Sequence, residues 1–118
     1  MKKITTLAEA EDLLLEIKVL IRESGILFMN QRIKNAQTLA DLGILEATQR
    51  QIIENLIAQD YYGGPEPDEK YPWKAVAVFG VDYQGVELYI KFSIGKTGTP
   101  VVCLSFHEAD ITMRNQFK

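Results

Sequence analysis

His107 is the only histidine in the chain, and it stands near the end of an alternating stretch, VVCLSFHE (101–108), that follows a second such stretch, VELYIKFSI (86–94). The residue types gathered there suit proton transfer beside a phosphate. Histidine can act as acid or base because its unperturbed pKa lies near neutrality. Lysine supplies fixed positive charge, and tyrosine donates a hydrogen bond or stacks on a nucleobase. Breaking an RNA phosphodiester without a metal needs these functions together. A base takes the 2′-hydroxyl proton, an acid protonates the leaving 5′-oxygen, and positive charge steadies the crowded phosphorane between them.

Alternation decides whether these residues can meet. In the first stretch Val86, Leu88, Ile90, Phe92 and Ile94 point one way, and Glu87, Tyr89, Lys91 and Ser93 the other. In the second, Val102, Leu104 and Phe106 are expected in the core, with Cys103, Ser105 and His107 outward. A hairpin through GKTGT with a loop of about three to five residues must keep the two apolar faces matched. His107 then falls opposite Glu87 or Tyr89, with Lys91 further along the same face. Tyr89, Lys91 and His107 are the candidate catalytic residues. The same pattern also fits the ordinary solvent-facing side of an antiparallel sheet.

Other clusters are less pointed. Tyr61, Tyr62, Tyr71 and Trp73 flank the segment DYYGGPEPDEKYP (60–72), where they either stack on bases or pin the segment to the core. Tyr61, Tyr62, Trp73 and Lys74 are the candidate substrate-binding residues. Glu66, Asp68 and Glu69 lack a calcium-loop pattern and read as solvated charge. Cys103 and His107 offer at most two soft ligands, so no metal site is expected, and the glycines lack phosphate-loop spacing, so no cofactor is expected either.

The elements that must carry these residues follow from periodicity. Thr6 and Glu9 have capping-box spacing, with Leu13, Ile17, Leu20 and Ile21 at helical intervals and Gly25 as the stop. Ile26–Met29 reads as a brief extended link. Asn35 is expected to cap a short helix through Leu39 and Leu42, closed by Gly43. A third helix starts near Glu46, with Ile52, Ile53, Leu56 and Ile57 as its apolar stripe. Two glycines and three prolines make 59–73 a loop. Ala75–Val81, Val86–Ile94 and Val101–Phe106 read as strands. The fold class is therefore α+β, a single domain (1–118) with N-terminal helices (1–58) packed on a C-terminal antiparallel sheet (74–107) of three or more strands.

Composition sets outer bounds. Of 118 residues, 47% are apolar and 25% charged, which is ordinary globular usage rather than disorder. Net charge is −3, which does not advertise nucleic-acid binding. The excess of acid lies in residues 1–70, and residues 71–118 are slightly basic. One cysteine excludes an internal disulfide and fits a reducing compartment. No apolar run is long enough to cross a membrane, and Glu16 and Lys18 interrupt the leucines 13–15, so a cytoplasmic location is expected. No heptads point to self-association.

The order NAQTLADLGI (35–44), an IIENL helix, DYYGGPEPD (60–68), VFG (78–80), GVELYIKF (85–92) and VVCLSFHEAD (101–110) resembles the MqsR-family toxins of bacterial toxin–antitoxin systems, across about residues 30–118. The resemblance implies a RelE-like α+β fold, metal-independent endoribonuclease activity on mRNA and inhibition by a cognate antitoxin protein. It places the family's strand tyrosine at Tyr89, with Lys91 in the same motif, and sets His107 where the family carries a lysine after its Ser-Phe pair. Gly63 stands where the family has another lysine, and no glutamine clearly matches the family's. A second reading is a protein-binding or regulatory module on the same fold that cuts nothing.

Overall fold

Thr6 opens the first helix, α1 (Leu7–Ser24), with a reciprocal capping box: its Oγ1 accepts from the Glu9 amide at 3.2 Å, and Glu9 Oε1 accepts from the Thr6 amide at 3.0 Å. Ala10, Leu13, Leu14, Ile17 and Leu20 form its buried stripe, and Gly25 ends it with φ near 88°. The computed structural model describes residues 3–118, so the first two residues of the expected helical part lie outside it. Two further helices, α2 (Ile33–Leu42) and α3 (Glu46–Glu54), complete the helical part, α2 being closed by Gly43 in the left-handed region. Leu56 of the expected third stripe is buried just beyond α3, whereas Ile57 is largely exposed.

The sheet has five strands in the order β1-β5-β4-β3-β2: β1 (Ile26–Phe28), β2 (Tyr61–Pro67), β3 (Ala75–Tyr83), β4 (Val86–Ile94) and β5 (Val101–Glu108). Strands β3 to β5 form the expected antiparallel meander, β2 extends it beyond β3, and β1 pairs with β5 in parallel, so the sheet is mixed rather than purely antiparallel. The β3–β4 hairpin turns through Gln84 and Gly85, both at positive φ, the backbone that a two-residue turn between twisted strands requires. Ala77, Phe79, Leu88, Ile90, Phe92 and Phe106 are fully enclosed beneath α1 and the segment around Ile44, Ile53 and Leu56.

Several expectations are corrected. Ile26–Met29 is not a bare link, because Ile26–Phe28 pairs with Val101–Cys103. The segment 59–73 is not wholly a loop, since Tyr61–Pro67 forms an edge strand with two register shifts. Prolines are tolerated there because an edge strand has one unpaired side and a bulge needs no donor. At Gly64, φ is +91° and a Cβ would sit 2.3 Å from the Val76 carbonyl oxygen, so only glycine permits the approach of β2 to β3.

The third correction concerns β5. Its core residues are Val101, Cys103 and Phe106, while Val102 and Leu104 are only half-buried. A bulge between the pairs Phe92↔Cys103 and Lys91↔Ser105 adds one residue to β5 and reverses its alternation midway. Before the bulge, Cys103 faces the core with Phe92. After it, Phe106 faces the core with Ile90, and His107 lands opposite Tyr89 on the other face. Without the added residue, His107 would pair with Leu88, on the core face.

Asn35 holds the bulge. It does not cap α2; it lies in the first turn, 2% exposed, and turns inward. Its Nδ2 donates to the carbonyls of Met29 (2.9 Å) and Leu104 (3.1 Å), and its Oδ1 accepts from the Phe106 amide (2.9 Å). One turn on, Thr38 Oγ1 accepts from the Glu108 amide at 2.9 Å. Strand β1 stops at Phe28, so these two side chains satisfy the edge of β5 where no strand reaches it. Asn35→Ala leaves the buried Phe106 amide without its partner and takes one of two donors from the Met29 and Leu104 carbonyls, and is expected to cost about 2–4 kcal/mol in urea unfolding, against about 1 kcal/mol for Thr38→Val. Equal small losses would count against Asn35 as the bulge's anchor.

Candidate active site and its flanking trough

The helices cover one face of the sheet. The other face carries Tyr89 and Lys91 from β4 and Ser105 and His107 from β5, with Tyr62 of β2 near Tyr89. The Tyr89 and His107 rings lie nearly parallel, 14° between planes, with centroids 5.3 Å apart. His107 Nδ1 is 2.8 Å from the Glu108 carbonyl oxygen. A carbonyl only accepts, so in the neutral ring Nδ1 bears the proton and Nε2 keeps the free lone pair. Burial raises the Tyr89 phenol above its ordinary value, and Tyr62 and Glu66 add to the shift, so the hydroxyl keeps its proton at neutral pH. Beyond β5, Asp110 accepts a hydrogen bond from Lys34 Nζ; that bond first, and His107 further off, hold its carboxyl below the usual range.

The residues after β5 close one end of this face. The Ala109 amide donates to the Glu87 carbonyl (2.9 Å) and the Met113 amide to Glu87 Oε1 (2.8 Å). Met113 packs on Gly80, where a Cβ would come within 2.7 Å of its sulfur. Asn115 Nδ2 and Lys118 Nζ each donate to the Gly80 carbonyl at 3.1 Å. The segment thus crosses the sheet beside Tyr89, and Tyr89, Lys91 and His107 stay half-buried on this face.

On the opposite side lies a trough of about 470 Å³, floored by Val76, Lys91, Ser93, Val102 and Leu104. One wall is the β2–β3 connection, and its clamp is Asp68. Asp68 Oδ1 accepts from the amides of Lys70 (2.9 Å) and Tyr71 (3.2 Å), and Oδ2 accepts from Ser93 Oγ (2.9 Å). Burial opposes its charge, but the Ser93 and amide hydrogen bonds, with Lys74 nearby, hold the carboxyl below its ordinary value. Asp68 is therefore an anchor rather than solvated charge. The other wall is the turn from Met29 to Arg32, steadied by the paired amides of Asn30 and the fully buried Gln49 (2.8 and 3.0 Å).

The candidate residues fall into two neighbouring groups. His107, Tyr89 and Tyr62 form one. Lys74 belongs to the trough, and Trp73, 65% exposed, lies just outside it against the lining Tyr71, with centroids 5.1 Å apart. Lys91 belongs to both, since it lines the trough and lies two residues from Tyr89. Tyr61 joins neither. It is buried against Phe79 and Phe117, and its hydroxyl donates to the Gly64 carbonyl, so its ring is closed to a base. Cys103 is enclosed, and burial pushes its thiol up to about 12. Arg32 escaped the sequence reading because nothing local marks it, whereas Asp68 carries a signal: a carboxylate two residues before the amide it binds is a common turn device.

Among the described residues, no group of three or more His, Cys, Asp or Glu side chains is arranged to hold a metal ion, and no helix is long and apolar enough to cross a membrane.

Asp68→Asn is expected to lower stability by about 1–3 kcal/mol at pH 7. Because the folded carboxyl is shifted down, its contribution is present above the unfolded value near 3.8 and fades as pH falls through the folded one. Denaturation of both proteins from pH 7 to pH 2 checks this: the gap narrows below about pH 4, and a gap independent of pH would contradict the clamp. Comparison of the chain with protein-family models, with curated proteins and with solved structures finds no match in any of the three.

Proposed function

We propose that the chain is a toxin-like endoribonuclease of RelE-like fold that cuts mRNA in the cytoplasm without a metal ion and is held in check by a cognate antitoxin protein. The observation that carries this reading is the pairing of Tyr89 with His107 on the sheet face turned away from the helices, with the Nε2 lone pair of His107 free and Lys91 alongside.

The chemistry follows from those three groups. His107 Nε2 takes the proton of a ribose 2′-hydroxyl, and the 2′-oxygen forms a bond to phosphorus. The P–O5′ bond breaks, and the leaving oxygen receives the Tyr89 hydroxyl proton, which its raised pKa keeps in place until the transition state. Lys91 balances the charge on the pentavalent phosphorus. The products are a 2′,3′-cyclic phosphate and a 5′-hydroxyl. Proton return from imidazolium to phenolate restores the enzyme.

The second reading, a protein-binding module, is favoured by Gly63, which brings no cation to β2 where the resembled family has one. Incubation of purified protein with RNA in EDTA separates the two. Cleavage leaving cyclic phosphate ends is expected, with the rate lowered about 10²- to 10⁴-fold in His107→Ala and about 10²-fold in Tyr89→Phe. Wild type that cuts neither free RNA nor translated mRNA, or cutting indifferent to His107→Ala, would overturn the nuclease.

A further inference from the structure

The trough concentrates charge in an unusual way for this chain. Arg32, Lys70, Lys74 and Lys91 line it, opposed by Glu66, Asp68 and Glu69. Asp68 is already committed to Ser93 and two backbone amides. Among the described residues none of the four cations has a carboxylate within 4.0 Å, whereas Lys34, Arg50 and Lys118 each do. A protein of net charge −3 therefore gathers unpaired cations in one concavity.

Resting on the nuclease reading, we infer that this trough binds a nucleotide of single-stranded RNA adjacent to the one being cut, with its phosphate against Arg32, Lys74 and Lys91 and its base on Trp73. Arg32 is held by one Nη1 hydrogen bond to the Leu104 carbonyl at 3.0 Å, which orients the guanidinium and leaves further N–H groups for phosphate oxygens. The indole of Trp73 is 65% exposed yet braced edge-on by Tyr71, which Lys70 and Lys74 flank at 5.5 and 5.3 Å. A braced, exposed aromatic ring beside cations is a stacking platform for a base. Walls on two sides admit a splayed nucleotide and keep out a stacked duplex. Lys91 makes the trough continuous with the reacting phosphate, because it borders both.

The test is fluorescence anisotropy of a labelled 2′-O-methyl pentanucleotide, which cannot supply the attacking hydroxyl and so reports binding alone. Trp73→Ala and Lys74→Gln are each expected to weaken binding about tenfold, and Lys74→Gln to reduce the salt slope by about 0.7. Arg32→Gln is expected to weaken it similarly, with Arg32→Lys recovering part of the loss. Wild type that does not bind the oligonucleotide, variants that bind like wild type, or a polyglutamate peptide that competes equally well before and after Trp73→Ala would each overturn the assignment. RNA cleavage by wild type with affinity unchanged in the variants sinks the trough and spares the catalytic pair. Binding that depends on Trp73 and Lys74 in a protein that never cuts RNA supports the trough and sinks the pair.

Discussion

The three hydrogen bonds of Asn35 to Met29, Leu104 and Phe106 set the parity of the whole open face. A strand has only two sides, so one added residue decides which side everything beyond it occupies. With the bulge in place, Cys103 and Phe106 both reach the core, and His107 reaches Tyr89. The amide of Asn35 suits the task because it donates and accepts at once, matching a carbonyl and an N–H left unpaired by the irregular strand. The same side chain ties down the turn at Met29, so the Tyr89–His107 pair and one wall of the trough share an anchor.

The second constraint is the buried carboxylate of Asp68. Its partners come from its own turn and from Ser93 of β4, so the β2–β3 connection is folded back onto the sheet rather than left loose. Both walls of the trough are thus set by buried polar groups whose hydrogen bonds are satisfied, an arrangement that tolerates little drift. Rigid walls lower the ordering cost of binding a flexible polymer, which suits the nucleotide site proposed for the trough.

Much of this was legible in the sequence where the determinants are local. The capping box at Thr6 and Glu9, the glycine stops at Gly25 and Gly43, and the alternation of β4 all rest on neighbours a few residues apart. The alignment of His107 with Tyr89 was also among the expected registers. The phase of Val101–Leu104 was not legible, because the bulge is held by Asn35 from about seventy residues away in the chain. Strand β2 was hidden by its prolines, whose exclusion from sheets does not extend to bulged edges. Tyr61 and Tyr62 are adjacent and chemically alike, and only the sheet's pleat separates the core residue from the one near Tyr89.

The enclosure of Cys103 has a practical side. A thiol reacts as its thiolate, and one whose pKa is pushed up to about 12 holds almost none of that form at neutral pH. Alkylating reagents and mild oxidants will therefore pass over the chain's single cysteine while it is folded. A reporter cysteine introduced at an exposed position such as Thr97 would then be the sole reactive thiol, and the native one would take up label only as the sheet opens.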